Sequence, residues 1–84
     1  MSPLLADTGR RVVGTRQIVR AAAQGKLLCV YIAEDVDDKV RKQIEDACGA
    51  AHVPIEKAAS MQELGQACRI AVGAAAAGIL KESD

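Results

Sequence analysis

The apolar run LLCVYIA, from Leu27 to Ala33, places the strongest constraint on what this chain can fold into. It is continuous in apolar residues, is rich in strand formers and ends at the charged residues EDVDD. A strand with one solvated face alternates polar and apolar side chains, whereas a strand covered on both faces does not. The run therefore predicts a central strand that is covered on both sides.

Helix and strand signals alternate on either side of this run. Before it, RRVVG predicts a short strand, and TRQIVRAAAQG predicts a helix that begins at Gly14 or Thr15 and stops at Gly25. Arg16 and Arg20, spaced i and i+4, are then expected to project from one face of that helix. After the run, DDKVRKQIEDACGAA carries an apolar stripe and opens with acidic residues, as a surface helix does.

Two weaker elements and an ambiguous tail follow. HVPIEKA predicts a strand near the sheet edge because Pro54 has no N–H to donate to a ladder. SMQELGQAC predicts a short helix with Ser60 and Glu63 at capping-box spacing. Over residues 73–80 the local pattern fits helix and strand equally, and the βαβαβα order before it favours a final strand of small residues. The expected fold class is α/β with a layered sheet.

The chain length of 84 residues predicts a single domain, 1–84, with a modest core. Its ends, residues 1–10 and 82–84, are expected to be loosely ordered. The start MSPLLADTGRR lacks the basic region and long apolar core of a signal peptide, and no apolar run reaches the roughly 18 to 20 residues that a bilayer requires. We therefore expect a cytoplasmic protein with no membrane partner.

Charge is distributed unevenly although the formal net charge is zero. Residues 10–26 hold five basic residues and no acidic one, whereas residues 27–84 hold six basic and ten acidic residues. Within the basic segment, Arg16 falls in the first helical turn, where free N–H groups and the helix dipole favour anions over cations. The pattern indicates an anionic partner at this edge of the fold, with a solvated basic face as the alternative.

The sequence lacks the common enzyme and metal-site patterns. Neither GxxxxGK[ST] nor GxGxxG occurs. His52 stands alone, and Cys29, Cys48 and Cys68 form no CxxC pair, so buried unpaired thiols are expected rather than a metal site. The carboxylates of EDVDD lack the spacing of a calcium loop and suit helix capping. We expect a non-enzyme without cofactor, metal or small-molecule substrate.

Three blocks of the chain, GTRQIVRAAAQGK, VYIAEDVD and LGQACRIAVGAAAAGIL, occur in an order and at spacings that resemble small bacterial members of the L7Ae/L30e superfamily of ribosomal proteins. The resemblance runs from about Val12 to Leu80. It implies a three-layer α/β/α sandwich with a mixed four-stranded sheet. It also implies binding of kink-turn RNA, a bent helix–bulge–helix with sheared G·A pairs, between the start of the first helix and the loop before the last strand.

The resemblance assigns candidate RNA-binding residues at the start of the first helix. They begin at Gly14 and Thr15, where glycine lets the backbone approach RNA closely. Arg16 and Gln17 are the polar pair that reads base edges, and Arg20 is the cation that contacts phosphate. The archaeal pattern has Asn-Glu in place of Arg16 and Gln17, so the base-reading hydrogen bonds here have a different polarity.

A second candidate block is the loop before the last strand. Ile70, Ala71 and Val72 would offer an apolar surface to a nucleotide extruded from the kink. Arg69, where bacterial relatives commonly have glycine, would add a phosphate contact. Plain core packing is the alternative for Ile70 and Val72.

Asp37 and Lys26 complete the candidate set. Asp37 matches a carboxylate that holds the extruded base in some relatives, and capping of the second helix explains it equally well. Lys26 suits phosphate contact, although long cations lie along sheet edges in many proteins. We expect a non-catalytic, ribosomal-protein-like monomer that stabilises bent kink-turn RNA, ribosomal RNA included, within a ribonucleoprotein. The alternative is a protein-interaction or regulatory module of the same fold without specific RNA binding.

Overall fold

The computed structural model of the protein describes residues 1–82. Strands and helices alternate along the chain, as the sequence predicts, and a short 3-10 helix that was not predicted precedes them. The elements are the 3-10 helix (Pro3–Ala6), β1 (Arg11–Val13), α1 (Thr15–Ala23), β2 (Leu27–Ala33), α2 (Asp38–Ala50), β3 (Ile55–Ala58), α3 (Met61–Ala67) and β4 (Ala76–Leu80).

The four strands form one mixed sheet in the order β1-β4-β2-β3. β4 pairs antiparallel with both β1 and β2, whereas β2 and β3 are parallel. β2 is an interior strand, which explains its continuous apolar sequence. β3 lies at an edge, as predicted from Pro54, whose carbonyl oxygen accepts a hydrogen bond from the Val30 N–H at 3.0 Å.

Helices cover both faces of the sheet. α1 packs against α2, while α3 packs with the 3-10 helix. Ile18 of α1 and Ile44 of α2 are wholly buried in one layer, as are Leu5 of the 3-10 helix and Leu64 of α3 in the other. This arrangement is the predicted three-layer α/β/α sandwich with a mixed four-stranded sheet. None of the helices within residues 1–82 combines the length and apolarity needed to span a bilayer.

The alanine-rich tail is a strand, β4, at the centre of the sheet. Its small residues let α1 approach the sheet closely. Gly78 also lies tightly between the two neighbouring strands: an added Cβ would lie 2.7 Å from Cδ2 of Leu27 on β2 and 3.4 Å from Cγ2 of Val12 on β1. The predicted strand is therefore confirmed over residues 76–80, and the glycine and alanines before it form a loop.

The prediction that residues 1–10 are loosely ordered is wrong for most of that segment. Ser2 Oγ accepts a hydrogen bond from the Leu4 N–H at 3.2 Å and caps the 3-10 helix, and Leu5 is 0% exposed. The Arg11 guanidinium donates to the Leu5 carbonyl at 3.1 Å. The buried Leu5 side chain and the hydrogen bond from Arg11 hold the segment in place. Of the expected loose end at 82–84, residues 83 and 84 lie outside the described part of the chain.

All three α-helices end in the same backbone motif. The residue after each C-cap has a left-handed backbone, with φ of +69° at Gly25, +57° at His52 and +58° at Arg69. In each case this residue and the next donate N–H groups to two carbonyls of the last helical turn, which is the Schellman arrangement. α1 uses the predicted glycine stop, whereas α2 and α3 place side-chain-bearing residues at that position.

Candidate functional site

Three candidate segments meet at one edge of the sheet. Because β4 runs antiparallel to β1 and β2, it begins where they end. The Gly14 N–H donates to the Ala76 carbonyl at 3.0 Å, and the Ala33 N–H donates to the Ala75 carbonyl at 2.9 Å. The start of α1, the turn 34–37 and the loop 68–75 are thereby joined, and we call this edge the rim.

The start of α1 lies open on the rim. Gly14 is the N-cap with φ of +101°, a conformation that favours glycine, and no side chain caps the helix. The Gln17 Oε1 atom lies 2.8 Å from where a Cβ of residue 14 would be, so the Gln17 amide folds over the glycine. Arg16 and Gln17 are both exposed. The first turn therefore presents backbone N–H groups, a guanidinium and an amide together.

Arg16 and Arg20 line one shallow groove together with Thr15, Val19 and Gln43. We call it the arginine groove. It confirms that the two arginines share a face of α1, as the i, i+4 spacing predicts. Gln43 comes from α2 and was missed by sequence reasoning, because only the packing of α2 against α1 brings it there.

The basic residues of segment 10–26 divide into two groups. Arg10 donates to the Leu80 carbonyl at 3.0 Å and pairs with Glu82 at 3.6 Å. Arg11 bridges the carbonyls of Leu5 and Cys68 at 3.1 and 3.2 Å. The side chains of these two arginines therefore stabilise the fold through contacts within the protein.

Arg16, Arg20 and Lys26 form the second group. Their side chains make no hydrogen bond or ion pair to any residue between positions 1 and 82, and all three are exposed. They are the cations of this segment that the fold leaves open to a ligand.

The loop after α3 forms an exposed apolar surface on the rim. Ile70, Ala71 and Val72 line a second groove, the apolar groove, and Val72 is 70% exposed. The alternative for this block is plain core packing, and the exposure of Val72 excludes it for that residue. Ile70, by contrast, is half-buried against the core. Further residues of the apolar groove come from α3 and from neighbouring turns and were not predicted: Asp35, Met61, Gln62, Gln66 and Gly73.

Two features fix the shape of this loop. Arg69, exposed at the start of the loop, has a left-handed backbone, with its N–H donating to the Gln66 carbonyl at 3.0 Å. Gly65 lies directly beneath the loop, where an added Cβ would overlap the Val72 carbonyl oxygen. The loop therefore packs on the backbone of α3 with no room for a side chain between them.

The acidic turn after β2 serves the fold. Asp37 is the N-cap of α2, and its Oδ1 accepts a hydrogen bond from the Val40 N–H at 2.9 Å. Asp35 Oδ1 accepts from the Met61 N–H at 2.8 Å and ties this turn to the start of α3. Arg41 donates to the Glu34 carbonyl at 2.7 Å. The structure thus shows the capping role for Asp37.

Lys26 lies apart from the rim. It follows Gly25, three residues beyond the last residue of α1, whereas Arg16 lies in the first turn of that helix. It nevertheless lines one groove with Gln17 and Arg20, which runs along the side of α1. Lys26 therefore lies near the candidate residues Gln17 and Arg20 on the side of α1, and it does not lie on the rim.

The cysteines do not form a reactive or metal-binding site in the part of the chain that the structure describes. No group of three or more His, Cys, Asp or Glu residues among positions 1–82 is placed to hold a metal ion. Burial raises the pKa of the Cys48 and Cys68 thiols, with the Arg11 charge opposing part of the rise at Cys68. Neutral thiols of this kind are poor nucleophiles.

Relatives with known names share this sequence over most of its length. A protein of Geobacillus sp. (strain WCH70), named as an RNA-binding protein, is 48% identical over 75 residues, which cover 89% of this chain and 92% of the relative. RNA-binding protein YbxF of Geobacillus stearothermophilus is 44% identical with the same coverage.

Solved structures share the fold. A protein of unknown function from Bacillus halodurans superposes with a TM-score of 0.84 at 24% identity, over 94% of this chain and 79% of that one. A 15.5 kD RNA-binding protein of Giardia lamblia superposes with a TM-score of 0.81 at 26% identity, over 96% of this chain and 68% of that one. The family model for the ribosomal protein L7Ae/L30e/S12e/Gadd45 family matches residues 2–84. The resemblance noted in the sequence is confirmed, and the chain belongs to this family.

Proposed function

We propose that this protein is a non-catalytic RNA-binding protein whose rim recognises kink-turn-like RNA and stabilises its bent form. The observation that carries the proposal is the junction of the open α1 N-terminus with the exposed apolar loop, made through the hydrogen bond from the Gly14 N–H to the Ala76 carbonyl. The RNA-binding names of the bacterial relatives and of the Giardia protein support the same class of partner.

The start of α1 has the chemistry of an RNA contact. Its first N–H groups lack helical partners and its dipole favours an anion, so a phosphate there offsets the unfavourable position of Arg16. The Arg16 guanidinium can donate two parallel hydrogen bonds to guanine O6 and N7. The Gln17 amide both donates and accepts, which suits the edges of sheared G·A pairs. Arg20, one turn further on, supplies a phosphate contact.

The apolar groove suits an unstacked base. A nucleotide extruded from a helix loses its stacking partners and gains from an apolar surface. Val72 at 70% and Met61 at 36% exposure provide such a surface beside the rim. Arg69 stands at the entrance of this loop with its side chain exposed, where it is suited to the phosphate beside the base.

Substitutions in α1 test the proposal through affinity and discrimination. Arg20→Ala should weaken binding to a kink-turn RNA and lower the slope of log K against log salt by about 1. Gln17→Ala should lower affinity for the intact RNA about 5- to 150-fold, the equivalent of about 1–3 kcal/mol, and have little effect on a control RNA whose G·A pairs are replaced. Gel-shift titration at several salt concentrations measures both, with Lys42→Gln on the outer face of α2 as the control. Equal losses on the two RNAs for Gln17→Ala would contradict base reading.

A protein-interaction module is the second candidate, because the exposed Val72 and Met61 would also suit a protein partner. The acidic turn gives it little support, since Asp35 and Asp37 both accept hydrogen bonds from helix N–H groups. The same titration separates the two functions: wild-type protein that shows no preference for the intact kink-turn RNA over its control would favour the protein-interaction module.

A further inference from the structure

The Arg11 side chain joins three parts of the protein that lie far apart in the sequence. Its Nε donates to the Leu5 carbonyl at 3.1 Å, and its Nη2 donates to the Cys68 carbonyl at 3.2 Å. Arg11 belongs to β1, Leu5 to the 3-10 helix, and Cys68 is the C-cap of α3. One guanidinium thus connects β1, the N-terminal segment and the start of the loop 68–75.

Both acceptors are carbonyls at the C-terminal end of a helix. Such carbonyls lack a partner within their own helix, and the helix dipole favours a cation beside them. A hydrogen bond from a charged donor is also stronger than one from a neutral donor. Arg11 is half-buried and has no ion pair with a carboxylate among residues 1–82. Its rigid, planar guanidinium therefore serves these two carbonyls and fixes their separation.

The hydrogen bond to Cys68 fixes the peptide group from which the apolar loop departs. The carbonyl of this peptide accepts from Arg11, and its N–H, which belongs to Arg69, donates to the Gln66 carbonyl at 3.0 Å. At Arg69, with φ of +58°, the chain turns into residues 70–72, which line the apolar groove. The direction of the loop therefore depends on a peptide group that is held on both sides.

The other end of the loop is held by the same short segment of the chain, residues 11–14. The Gly14 N–H, three residues after Arg11, donates to the Ala76 carbonyl at 3.0 Å. Gly14 is also the N-cap of α1. The segment 11–14 thus holds both ends of the loop and carries the start of α1, so it sets where the apolar groove lies relative to that start.

A bent RNA has to fit the start of α1 and the apolar groove at the same time, so their relative position matters for recognition. Arg11 has its Nε and Nη2 donors engaged within the protein, whereas the side chains of Arg16 and Arg20 are open to a ligand. Resting on the proposed function, we propose that Arg11 is a positioning residue. It makes no contact with RNA and holds the apolar loop where an extruded base enters the groove while the start of α1 is bound.

Three variants test this role. Arg11→Gln removes the bridge. Arg10→Gln is the matched control, because it removes the same charge one residue away and breaks hydrogen bonds to the Leu80 carbonyl, at the end of β4 remote from the loop. Arg11→Lys keeps the charge and the aliphatic stem, but an ammonium lacks the planar fork that spans two carbonyls. Thermal melts check that each variant is folded.

Each protein is titrated with three RNAs at several salt concentrations. The first is a kink-turn RNA, and the second is the same RNA with its extruded nucleotide made abasic, so that only the base is lost. The third has its G·A pairs replaced and reports on the proposed function. Amide hydrogen exchange compares the Ile70 N–H, bonded to the Gly65 carbonyl, with the Ile18 N–H, bonded to the Gly14 carbonyl in α1.

We expect Arg11→Gln to bind the intact RNA about three- to thirtyfold more weakly than the wild type and the abasic RNA within about twofold of it. Its salt slope should not change, since Arg11 neutralises no phosphate. Arg11→Lys should also lose affinity for the intact RNA alone, because the bridging geometry and not the charge is lost. Arg10→Gln should match the wild type on both RNAs. Exchange should become faster at the Ile70 amide of Arg11→Gln and stay the same at Ile18.

The outcomes separate the inference from the proposed function. An Arg11→Gln variant that matches Arg10→Gln on the intact RNA overturns the inference and leaves the proposed function standing. An equal loss on intact and abasic RNA, or a lower salt slope, assigns Arg11 a direct or a general structural role and also overturns it. If Arg11→Gln does not fold, Arg11→Lys decides by the same comparison. Wild-type protein that does not prefer the intact RNA over the one with replaced G·A pairs refutes the proposed function and the inference together.

Discussion

At the end of α3, Arg69 holds a left-handed backbone conformation that costs a residue with a Cβ roughly 1–2 kcal/mol. Glycine, the residue that the resemblance leads one to expect there, has no such cost. The protein therefore has an exposed cation beside the apolar groove at the expense of a less favourable helix end. His52 has the same left-handed backbone conformation at the end of α2, outside the candidate site.

This pair of residues gives a matched prediction. Arg69→Gly and His52→Gly should each raise the free energy of unfolding by about 0.5–1 kcal/mol, because each relieves left-handed strain. Urea denaturation measures that change. Only Arg69→Gly should weaken RNA binding and lower the salt slope, by about 1, because only Arg69 adjoins the rim. Equal RNA affinities for the two variants would remove Arg69 from the proposed interface.

At the scale of elements, the packing of the loop 69–72 on α3 decides the shape of the apolar groove. A Cβ at Gly65 would overlap the Val72 carbonyl oxygen, whereas one at Gly49 in α2 has nothing within 4 Å. Gly65→Ala should therefore lower the free energy of unfolding by about 1–3 kcal/mol through overpacking. Gly49→Ala should raise it by about 0.5–1 kcal/mol through helix propensity.

Chemical denaturation of both variants tests the tight fit of loop and helix. Gly65→Ala should also reduce affinity for an RNA with an extruded base, since the loop must move, while Gly49→Ala should not. If both alanine variants are more stable than the wild type, the loop is not packed on α3 as described.

Local sequence patterns predicted most helices and strands because each pattern depends only on residues that are close together in the sequence. The apolar run of β2, the Ser60 cap and the Gly25 stop each depend on neighbours a few residues away. β4 could not be assigned in this way, since four alanines favour helix locally and only the tight contact of Gly78 with Leu27 and Val12 shows why a strand of small residues is needed. The 3-10 helix was missed for a similar reason, because the burial of Leu5 depends on contacts distant in sequence.

The site was predictable only in part. The pairing of Arg16 with Arg20 follows from helical spacing, and the resemblance identified the loop 69–72. Gln43, Asp35 and Met61 reach the grooves through the packing of separate elements, which spacing along the chain does not encode.

At the scale of the whole molecule, buried groups that titrate at high pH should set the alkaline limit of stability. Burial, and then the Glu56 carboxylate, raise the pKa of Tyr31, and burial raises the pKa of the Cys48 and Cys68 thiols. The unfolded chain then ionises at lower pH than the folded protein. These neutral groups therefore contribute to the free energy of unfolding. Their contribution is fully present below the unfolded pKa values, about 8.5 for a thiol and 10 for a phenol, and it is lost as pH rises through the raised folded values.

We accordingly expect the melting temperature to fall between pH 8 and pH 11, both values being approximate bounds of these titrations. Tyr31→Phe should flatten the upper part of that fall, since Tyr31 is the only aromatic residue and its ionisation is removed. Thermal melts followed by circular dichroism across this range measure the effect. An identical fall in the wild type and in Tyr31→Phe would show that Tyr31 titrates normally in the folded protein.

The most direct test of the account is whether the protein holds RNA in a bent state. A kink-turn RNA labelled with a donor and an acceptor at the ends of its two arms, and a control with its G·A pairs replaced, are titrated with the wild-type protein in a buffer without divalent ions. We predict a saturable increase in energy transfer for the intact RNA and none for the control over the same protein range. An equal response of the two RNAs, or binding without any increase in energy transfer, would contradict the account.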